Sequence, residues 1–415
     1  MQKFGLIGKV LTHSYSKKIH PLLGAYQYDK IELLPEQLKD FVQKKEYAGY
    51  NVTIPYKKDI IPFLDFIDEN AKKIGAINTV VNRGGKLYGY NTDFDGMIYA
   101  LKRAGIILKN KIVLILGSGG TSNTATAVAE RLGAFKVKIL SRSGQINYEN
   151  YKSLAGDAQI IINTTPVGTY PDNYSCLIDL KVFKNLEGVM DVVYNPALSK
   201  LLCQAKELGV PYSNGFPMLV AQAKRAAELF FDKTLPENLL EDIIKRLQAE
   251  NLNIVLVGMP GCGKTTVGKE LEKLLGKEFV DTDELIEKKV GKSIPQIFAD
   301  NGEEYFRKIE SEVLAEVGKL SGKIISTGGG VIKNKNNYFP LKQNGVIVWV
   351  KRDIERLVCD GRPLSKDLDT VKKLYEERKD NYEFFADEQV DNDGEINSVV
   401  KEIVKLYENF GDKRA

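Results

Sequence analysis

From Ile254 the chain runs through an apolar tetrad, Ile254-Val255-Leu256-Val257, into Gly258-Met-Pro-Gly261-Cys-Gly263-Lys264-Thr265 and then into a segment with Val267, Leu271, Leu274 and Leu275 at helical spacing. No other stretch restricts the fold so tightly. Strand, glycine loop and helix in that order form a P-loop, in which consecutive backbone N–H groups curl around phosphate oxygens at a helix N-terminus. Gly258, Gly261 and Gly263 make the cradle, and Thr266 follows among the nucleotide contacts. Lys264 reaches the β- and γ-phosphates as a catalytic cation, and the Thr265 hydroxyl ligates Mg²⁺. The loop calls for a nucleoside triphosphate. A bare glycine turn is the alternative, and the flanking strand and helix disfavour it. Single-domain P-loop enzymes begin with this loop, yet more than half of the 415 residues precede it. Another protein fused in front is the simplest account.

A chain of this length, 43% hydrophobic and 27% charged, supplies ordinary cores for two or three domains. A net charge of +4 is too mild for a nucleic-acid surface and is equally well explained by small anionic ligands. The four cysteines form no Cys-x-x-Cys pair, and with two histidines there is no metal-site spacing. The N-terminus lacks a signal-peptide stretch, and no apolar run is long enough to span a bilayer. The expectation is a soluble cytoplasmic protein with reduced thiols and no nucleic-acid or membrane partner. Its oligomeric state is open, a homodimer being compatible with the sequence.

In the first hundred residues, Phe4-Gly-Leu-Ile-Gly8 reads as a buried strand and Thr12-His13-Ser14-Tyr15-Ser16 as a polar loop before a helix. The serines suit either a ligand or a helix cap. Asn51-Val-Thr53-Ile-Pro-Tyr-Lys57 reads as a strand stopped by its proline, exposing Lys57 and Lys58. Gly75-Ala-Ile-Asn78-Thr79 and Tyr90-Asn91-Thr92-Asp93 follow, and taken alone are turn formers. Further on, the strand Lys111 to Leu116 leads through Gly117-Ser-Gly119-Gly120 to a helix expected over 125–132, with Ser122 in place of the last glycine of Gly-x-Gly-x-x-Gly. The next strand, Lys136 to Leu140, ends at Ser141-Arg142-Ser143, where the cofactor ribose is read. Arg142 favours the 2′-phosphate of NADP(H) over NAD, unless it is an ordinary loop arginine.

These landmarks, in their order and spacing, resemble the shikimate dehydrogenase family, whose substrate domain reads His-Ser-x-Ser, Asn-Val-Thr-x-Pro-x-Lys, Asn-Thr and Asn-Thr-Asp. Ile162 to Gly168, Asp191-Val-Val-Tyr194-Asn-Pro and Asn214 to Gln222 agree with the family, while Lys17 and Pro217 depart from it. The resemblance implies that Ser14 and Ser16 bind the substrate carboxylate, that Thr53, Asn78, Asn91 and Gln222 bind the rest of the substrate, and that Lys57 and Asp93 form the catalytic pair. Chemically, Lys57 is a charged donor at neutral pH. It would stabilise the alkoxide that forms when a ring ketone accepts hydride, with Asp93 holding it protonated.

An amphipathic helix is expected from Pro236 to Asn251, its stripe being Leu239, Leu240, Ile243, Ile244 and Leu247. Beyond the P-loop, Glu278-Phe-Val-Asp281-Thr-Asp283 reads as a strand whose alternation turns Asp281 toward Mg²⁺ and Asp283 toward an acceptor hydroxyl; a solvated acidic turn is the alternative. Then come Gly302-Glu-Glu-Tyr-Phe-Arg307-Lys-Ile-Glu310, Gly328-Gly329-Gly330 after Ser326-Thr327, Gly361-Arg362-Pro-Leu and Arg378. From about Asn253 onward this series resembles the shikimate kinases. By that resemblance Asp281 contacts Mg²⁺ through water, Asp283 orients or deprotonates the acceptor hydroxyl, Arg307 and Arg378 clamp a carboxylate, the three glycines line the ring, and Arg362 closes as a lid. Where such kinases carry a further arginine before the lid, this chain has Glu355 followed by Arg356.

The expected architecture is therefore α/β throughout: a substrate domain at 1–100 completed by 215–250, a Rossmann NADP domain at 101–214, and a P-loop domain at 251–415 with a parallel sheet of the nucleoside monophosphate kinase kind. The expected function is bifunctional, making shikimate and then phosphorylating it. Two rivals remain. One is a metabolite sensor built from degenerate copies, against which the retained Lys57, Asp93, Lys264, Thr265 and Asp283 speak. The other is an NAD-dependent quinate oxidation, against which Arg142 speaks.

Overall fold

The computed structural model describes residues 2–11, 15–357 and 368–413. Two compact units emerge, Met1–Tyr194 with Ser199–Ile244, and Lys245–Arg414 with Asn195–Leu198. The division falls inside the helix Glu237–Asn251, which has the bounds its apolar stripe predicts to within a residue. Among the described residues no helix is long and apolar enough to cross a membrane.

The first unit holds two sheets. β1 (Phe4–Gly8), β2 (Tyr28–Glu32), β3 (Gly49–Val52), β4 (Phe66–Ile67), β5 (Thr79–Arg83) and β6 (Lys86–Tyr90) form a mixed sheet in the order β2-β1-β3-β5-β6-β4. β1 is parallel to both neighbours, whereas β5 runs antiparallel to β3 and β6. β3 stops at Val52, earlier than the expected strand through Ile54, because Tyr56 N–H already turns back to Thr53 O at 3.0 Å. Lys57 thus leaves on a turn, and Ile77 N–H ties that turn to the approach of β5 by bonding Lys57 O at 2.8 Å.

The second sheet is all parallel: β7 (Ile112–Leu116), β8 (Lys136–Leu140), β9 (Ile160–Asn163), β10 (Gly188–Asp191) and β11 (Tyr212–Ser213), in the order β11-β10-β9-β7-β8. Strand order switches at β7, with β8 added on one side and β9 on the other, so the carboxyl ends of β7 and β9 flank the crevice where open α/β sheets bind ligands. The helix after β7 is Gly120–Arg131, starting five residues before the expected one, with Gly119 as its N-cap. The apolar pattern alone predicts a start at Ala125, but the small residues of Gly120-Thr-Ser-Asn-Thr are already helical.

The second unit is built on β12 (Asn253–Val257), β13 (Phe279–Asp281), β14 (Ile324–Ser326), β15 (Gly345–Lys351) and β16 (Glu388–Asp391), all parallel in the order β13-β14-β12-β15-β16. β12 lies at the centre, and Ile254, Val255, Leu256 and Val257 are fully buried. The P-loop therefore leaves the middle of the sheet, and Lys264–Leu275 is the helix it enters. The α/β class expected from the sequence holds in all three sheets.

Candidate active sites

In the first unit a cavity of about 510 Å³ is lined by Ser16, Asn51, Thr53, Lys57, Asn78, Asp93 and Gln222, together with Tyr15, Thr121, Val192, Tyr194 and Met218. Its central feature is an ion pair, Lys57 Nζ to Asp93 Oδ2 at 2.6 Å, with the two side chains 28% and 18% exposed. Asp93 sits in the first turn of the helix Thr92–Arg103, where the helix dipole favours a carboxylate. Ser16 opens the helix Ser16–Leu23, and the N-cap is Tyr15, so Ser16 is not spent as a cap. Gln222 is contributed by the helix Phe216–Phe231, its Oε1 at 3.4 Å from Thr92 Oγ1.

Two expected residues stand differently. Ser14 lies outside the described residues. Asn91 does not line the cavity: it is 5% exposed and donates through Nδ2 to Ala76 O at 2.9 Å. That bond joins two loop segments, while its Oδ1 is buried with no hydrogen-bond partner among the described residues. Conversely, Asn51, Tyr15 and Tyr194 belong to the sequence motifs without a role implied for them, and all three line the cavity. Tyr15 packs edge-on against Tyr194 and Phe216, with ring centroids 5.6 and 5.8 Å away.

Two buried titratable groups support this wall. Asp191, at the end of β10, accepts from Ser199 Oγ at 2.5 Å, Asn163 Nδ2 at 2.8 Å and Val193 N at 3.0 Å, which anchors the Val192 to Tyr194 segment. Burial pushes its carboxyl up to about 6, against the pull of those hydrogen bonds. His20, stacked on Tyr28 and bonded through Nδ1 to Tyr26 Oη at 2.5 Å, is pushed by burial from 6.5 down to about 3. Their pH effects oppose each other. For His20 the unfolded chain takes the proton first, so stability present above pH 6.5 is lost as pH falls, by about 2 kcal/mol between pH 7 and 5. For Asp191 the fold takes the proton first, so stability is gained as pH falls through its raised value, by about 1 kcal/mol over the same interval. Unfolding of the wild-type first unit should therefore change little from pH 7 to 5. His20→Phe should make it distinctly more resistant at pH 5 than at pH 7. An unaltered pH profile in that variant, followed by thermal melting, would contradict this balance.

At the crevice beside β7, Gly117 has φ 107°, and a Cβ there would come within 2.9 Å of both Thr164 Oγ1 and Thr165 Cγ2. Only glycine fits this approach of the β7 and β9 ends. Gly119 caps and Gly120 opens a helix whose N-terminus has no side-chain cap, the kind of helix start that can receive an anion. Gly117 N–H bonds Leu140 O at 2.8 Å, and Leu116 pairs with Leu140. Arg142, exposed two residues beyond β8, therefore leaves the sheet at the same edge as the glycine turn.

In the second unit a cavity of about 570 Å³ is lined by Gly261, Gly263, Lys264, Thr265 and Thr266, by Asp281 and Asp283, by Arg307 and Arg378, and by Gly328, Gly329 and Gly330. Lys264 is buried, and its ammonium donates to Gly258 O at 2.9 Å and Met259 O at 3.1 Å, so the loop closes on its own lysine. Asp281 and Asp283 do not alternate along one strand. β13 ends at Asp281, which caps the helix Thr282–Val290 by accepting from Asp283 N at 3.0 Å, and Asp283 lies in the first helical turn. The Asn/Asp tendency to bond the N–H two residues on ends the strand. Both carboxylates still reach the cavity.

Thr265 Oγ1 stands 3.2 Å from Asp281 Oδ2, two hard oxygen donors side by side at the mouth of the loop. Such a pair suits Mg²⁺, which takes few protein ligands and keeps waters and phosphate oxygens. Across the cavity the three glycines make room for charged partners. A Cβ on Gly328 would lie 2.8 Å from Asp283 Oδ1, and one on Gly330 2.3 Å from the Arg307 guanidinium. Arg307 is held by Glu310 at 2.8 Å and Glu303 at 3.2 Å. Arg378, 3% exposed, and Tyr382 both donate to Gly329 O, at 2.9 and 2.6 Å. Burial raises the Glu310 carboxyl above its ordinary value, against the pull of Arg307. Glu310 and Tyr382 carry no role in the sequence reading, although Glu310 follows Arg307 at i+3, the spacing that pairs charges on a helix. Arg362 lies outside the described residues. Arg356, beside Glu355, bonds Asp393 O at 2.9 Å.

Comparisons with known proteins fall on the same two stretches. Residues 6–80 match the family model described as the shikimate dehydrogenase substrate binding domain, and residues 260–408 match the one described as shikimate kinase. The shikimate dehydrogenase (NADP(+)) of Clostridium beijerinckii is 34% identical over 272 residues, covering 60% of this chain and 99% of that protein. Among solved structures, a chorismate mutase/shikimate 5-dehydrogenase fusion protein from Clostridium acetobutylicum superposes with a TM-score of 0.57 and 33% identity, over 60% of this chain and 97% of that one. Shikimate 5-dehydrogenase from Thermus thermophilus, in complex with NADP(H) and shikimate, gives 0.54 and 27%, over 59% of this chain and 99% of that one.

Proposed function

The chain belongs to the shikimate dehydrogenase family through the three fifths its relatives cover and carries a shikimate kinase domain besides, and on that premise we propose that it performs two consecutive reactions. The first reduces 3-dehydroshikimate to shikimate with NADPH. The second phosphorylates shikimate from ATP to shikimate 3-phosphate. The observation that carries the reading is the Lys57–Asp93 pair at 2.6 Å on the wall of an amide- and hydroxyl-lined cavity.

In the first reaction NADPH supplies the hydride. Lys57 donates a charged N–H to the substrate oxygen that gains negative charge, and Asp93 keeps that ammonium in place. Thr53, Asn78 and Gln222 hold the ring hydroxyls, and Ser16 the carboxylate together with Ser14. The crevice at Gly117, Gly119 and Gly120 fits a pyrophosphate, and Arg142 the 2′-phosphate.

In the second reaction Lys264 and the P-loop N–H groups neutralise the phosphates of ATP. Asp283 orients the attacking hydroxyl, and Arg307 with Arg378 grips the carboxylate. Thr265 and Asp281 would hold Mg²⁺, which supplies charge neutralisation at the phosphates.

Two assays test the reading directly: NADPH oxidation with 3-dehydroshikimate, and ADP release with shikimate, ATP and Mg²⁺. Failure of either removes that half. Cofactor choice has its own test. Arg142→Ala should lower kcat/KM for NADPH by about 10-fold or more, the worth of a charged hydrogen bond, and leave NADH use within about twofold. Equal losses would show that the 2′-phosphate is read elsewhere.

A further inference from the structure

Behind the wall of the dehydrogenase cavity lies a buried polar network whose direction is fixed by two backbone groups. Thr92 N–H donates to Asn78 Oδ1 at 2.7 Å. A backbone N–H can only donate, so the oxygen of this amide is the atom turned inward. The hydroxyls of Thr79 and Thr92 lie 3.1 and 3.2 Å from it. Asn78 O, a carbonyl that can only accept, lies 3.3 Å from Asn51 Nδ2, and Thr79 Oγ1 takes the same nitrogen at 2.9 Å. Both hydrogens of Asn51 Nδ2 are engaged there. Its Oδ1 is turned the other way and accepts from Tyr28 Oη at 2.7 Å.

Asn51 and Asn78 both line the cavity, and the network decides what each offers. Asn78 retains its Nδ2 hydrogens and meets a ligand as a donor. Asn51 has only Oδ1 lone-pair capacity left and meets a ligand as an acceptor. Tyr28 opens β2 and is not a lining residue, being 6% exposed. Its ring is fixed by stacking on His20, with centroids 3.7 Å apart and planes 10° from parallel, and its hydroxyl also meets the Ser16 side chain.

We propose that Tyr28 is a positioning residue of the dehydrogenase site: by donating to Asn51 Oδ1 from behind the wall, it locks that amide as a hydrogen-bond acceptor and makes the site select a ring hydroxyl there over a substituent that carries no proton. The proposal rests on the reading of this cavity as a shikimate site. A hydroxyl can satisfy both Asn51 as donor and Asn78 as acceptor. A fluorine in its place leaves Asn51 Oδ1 facing another electron-rich atom in a buried setting, which is the costly arrangement.

The test is NADP-linked oxidation of shikimate and of its 4-fluoro and 5-fluoro deoxy analogues, in the wild-type chain and in Tyr28→Phe. At one of the two positions the wild type should lose about 10- to 100-fold in kcat/KM on fluorination. In Tyr28→Phe the Asn51 oxygen loses its anchor and the amide is held only by the long 3.3 Å bond to Asn78 O and by Thr79, whose hydroxyl can donate as well as accept, so it turns more readily and that penalty should shrink to less than about fivefold; KM for shikimate should rise about fivefold, with kcat within about twofold and KM for NADP unchanged. A merely structural role would lower rates for shikimate and analogue in parallel, and that result would overturn the proposal. So would a wild type indifferent to fluorine at both positions. Should Tyr28→Phe melt far below the wild type, Thr79→Val, which removes the acceptor on the other side of the amide, must relax the same penalty or the proposal falls. Absence of any shikimate oxidation by the wild type would instead overturn the underlying reading of the cavity, and this inference with it.

Discussion

Lys57→Ala should lower 3-dehydroshikimate reduction by about 10³-fold, within the range a positioned acid–base group supplies, while shikimate phosphorylation stays within about twofold of wild type. The Lys57 ammonium and the Asp93 carboxylate lie 2.6 Å apart on the cavity wall. Removing the lysine deletes the cation placed to meet developing alkoxide charge and leaves Asp93 as an unpaired anion in the same cavity, so both effects oppose the transition state. The loss should fall on kcat more than on KM, because the charge it answers exists only during the reaction. Lys57→Arg should rescue little, since a planar guanidinium cannot occupy the site of a compact ammonium. Loss of both activities in Lys57→Ala would refute two separate sites.

Lys264→Ala should show the mirror pattern, with phosphorylation down by about 10³-fold and reduction unchanged. Two costs combine at this position. The ammonium that reaches the β- and γ-phosphates is gone, and Gly258 O and Met259 O lose the donor that closes the loop. The second effect loosens the cradle itself, so ATP affinity should fall together with kcat, unlike the behaviour expected for Lys57. An unchanged rate of ADP release would show that the loop is not the nucleotide site.

The sequence is most informative where local geometry and chemistry coincide. Gly258 to Thr265 needs only the strand before it and the helix after it to be recognised, and both stand as expected around a central buried strand. Asn51 to Lys57, Asn78 and Asp93 announce a polar pocket because each lies close to the end or start of a strand or helix at one sheet edge. Less legible are features that depend on how side chains meet across distant segments. Asn91 has the same residue type as Asn78, and only packing reveals that its Nδ2 is spent on Ala76 O. Alternation puts Asp281 and Asp283 on one strand, yet a capping bond from Asp283 N to Asp281 ends the strand between them. Tyr28 and Tyr382 bear no motif at all. Their roles arise from a hydroxyl arriving at Asn51 Oδ1 or Gly329 O from residues 23 and 53 positions away in the chain.

One vessel containing 3-dehydroshikimate, NADPH, ATP and Mg²⁺ tests the whole account, with shikimate 3-phosphate followed by mass alongside NADPH oxidation and ADP release. The wild-type chain should convert 3-dehydroshikimate to shikimate 3-phosphate, oxidising one NADPH and releasing one ADP for each product molecule. Lys57→Ala should stop before NADPH is used, Lys264→Ala should stop at shikimate, and a mixture of the two variants should restore the product. A wild-type chain that oxidises NADPH but never releases ADP, or that phosphorylates added shikimate but never makes it, would contradict the two-reaction account.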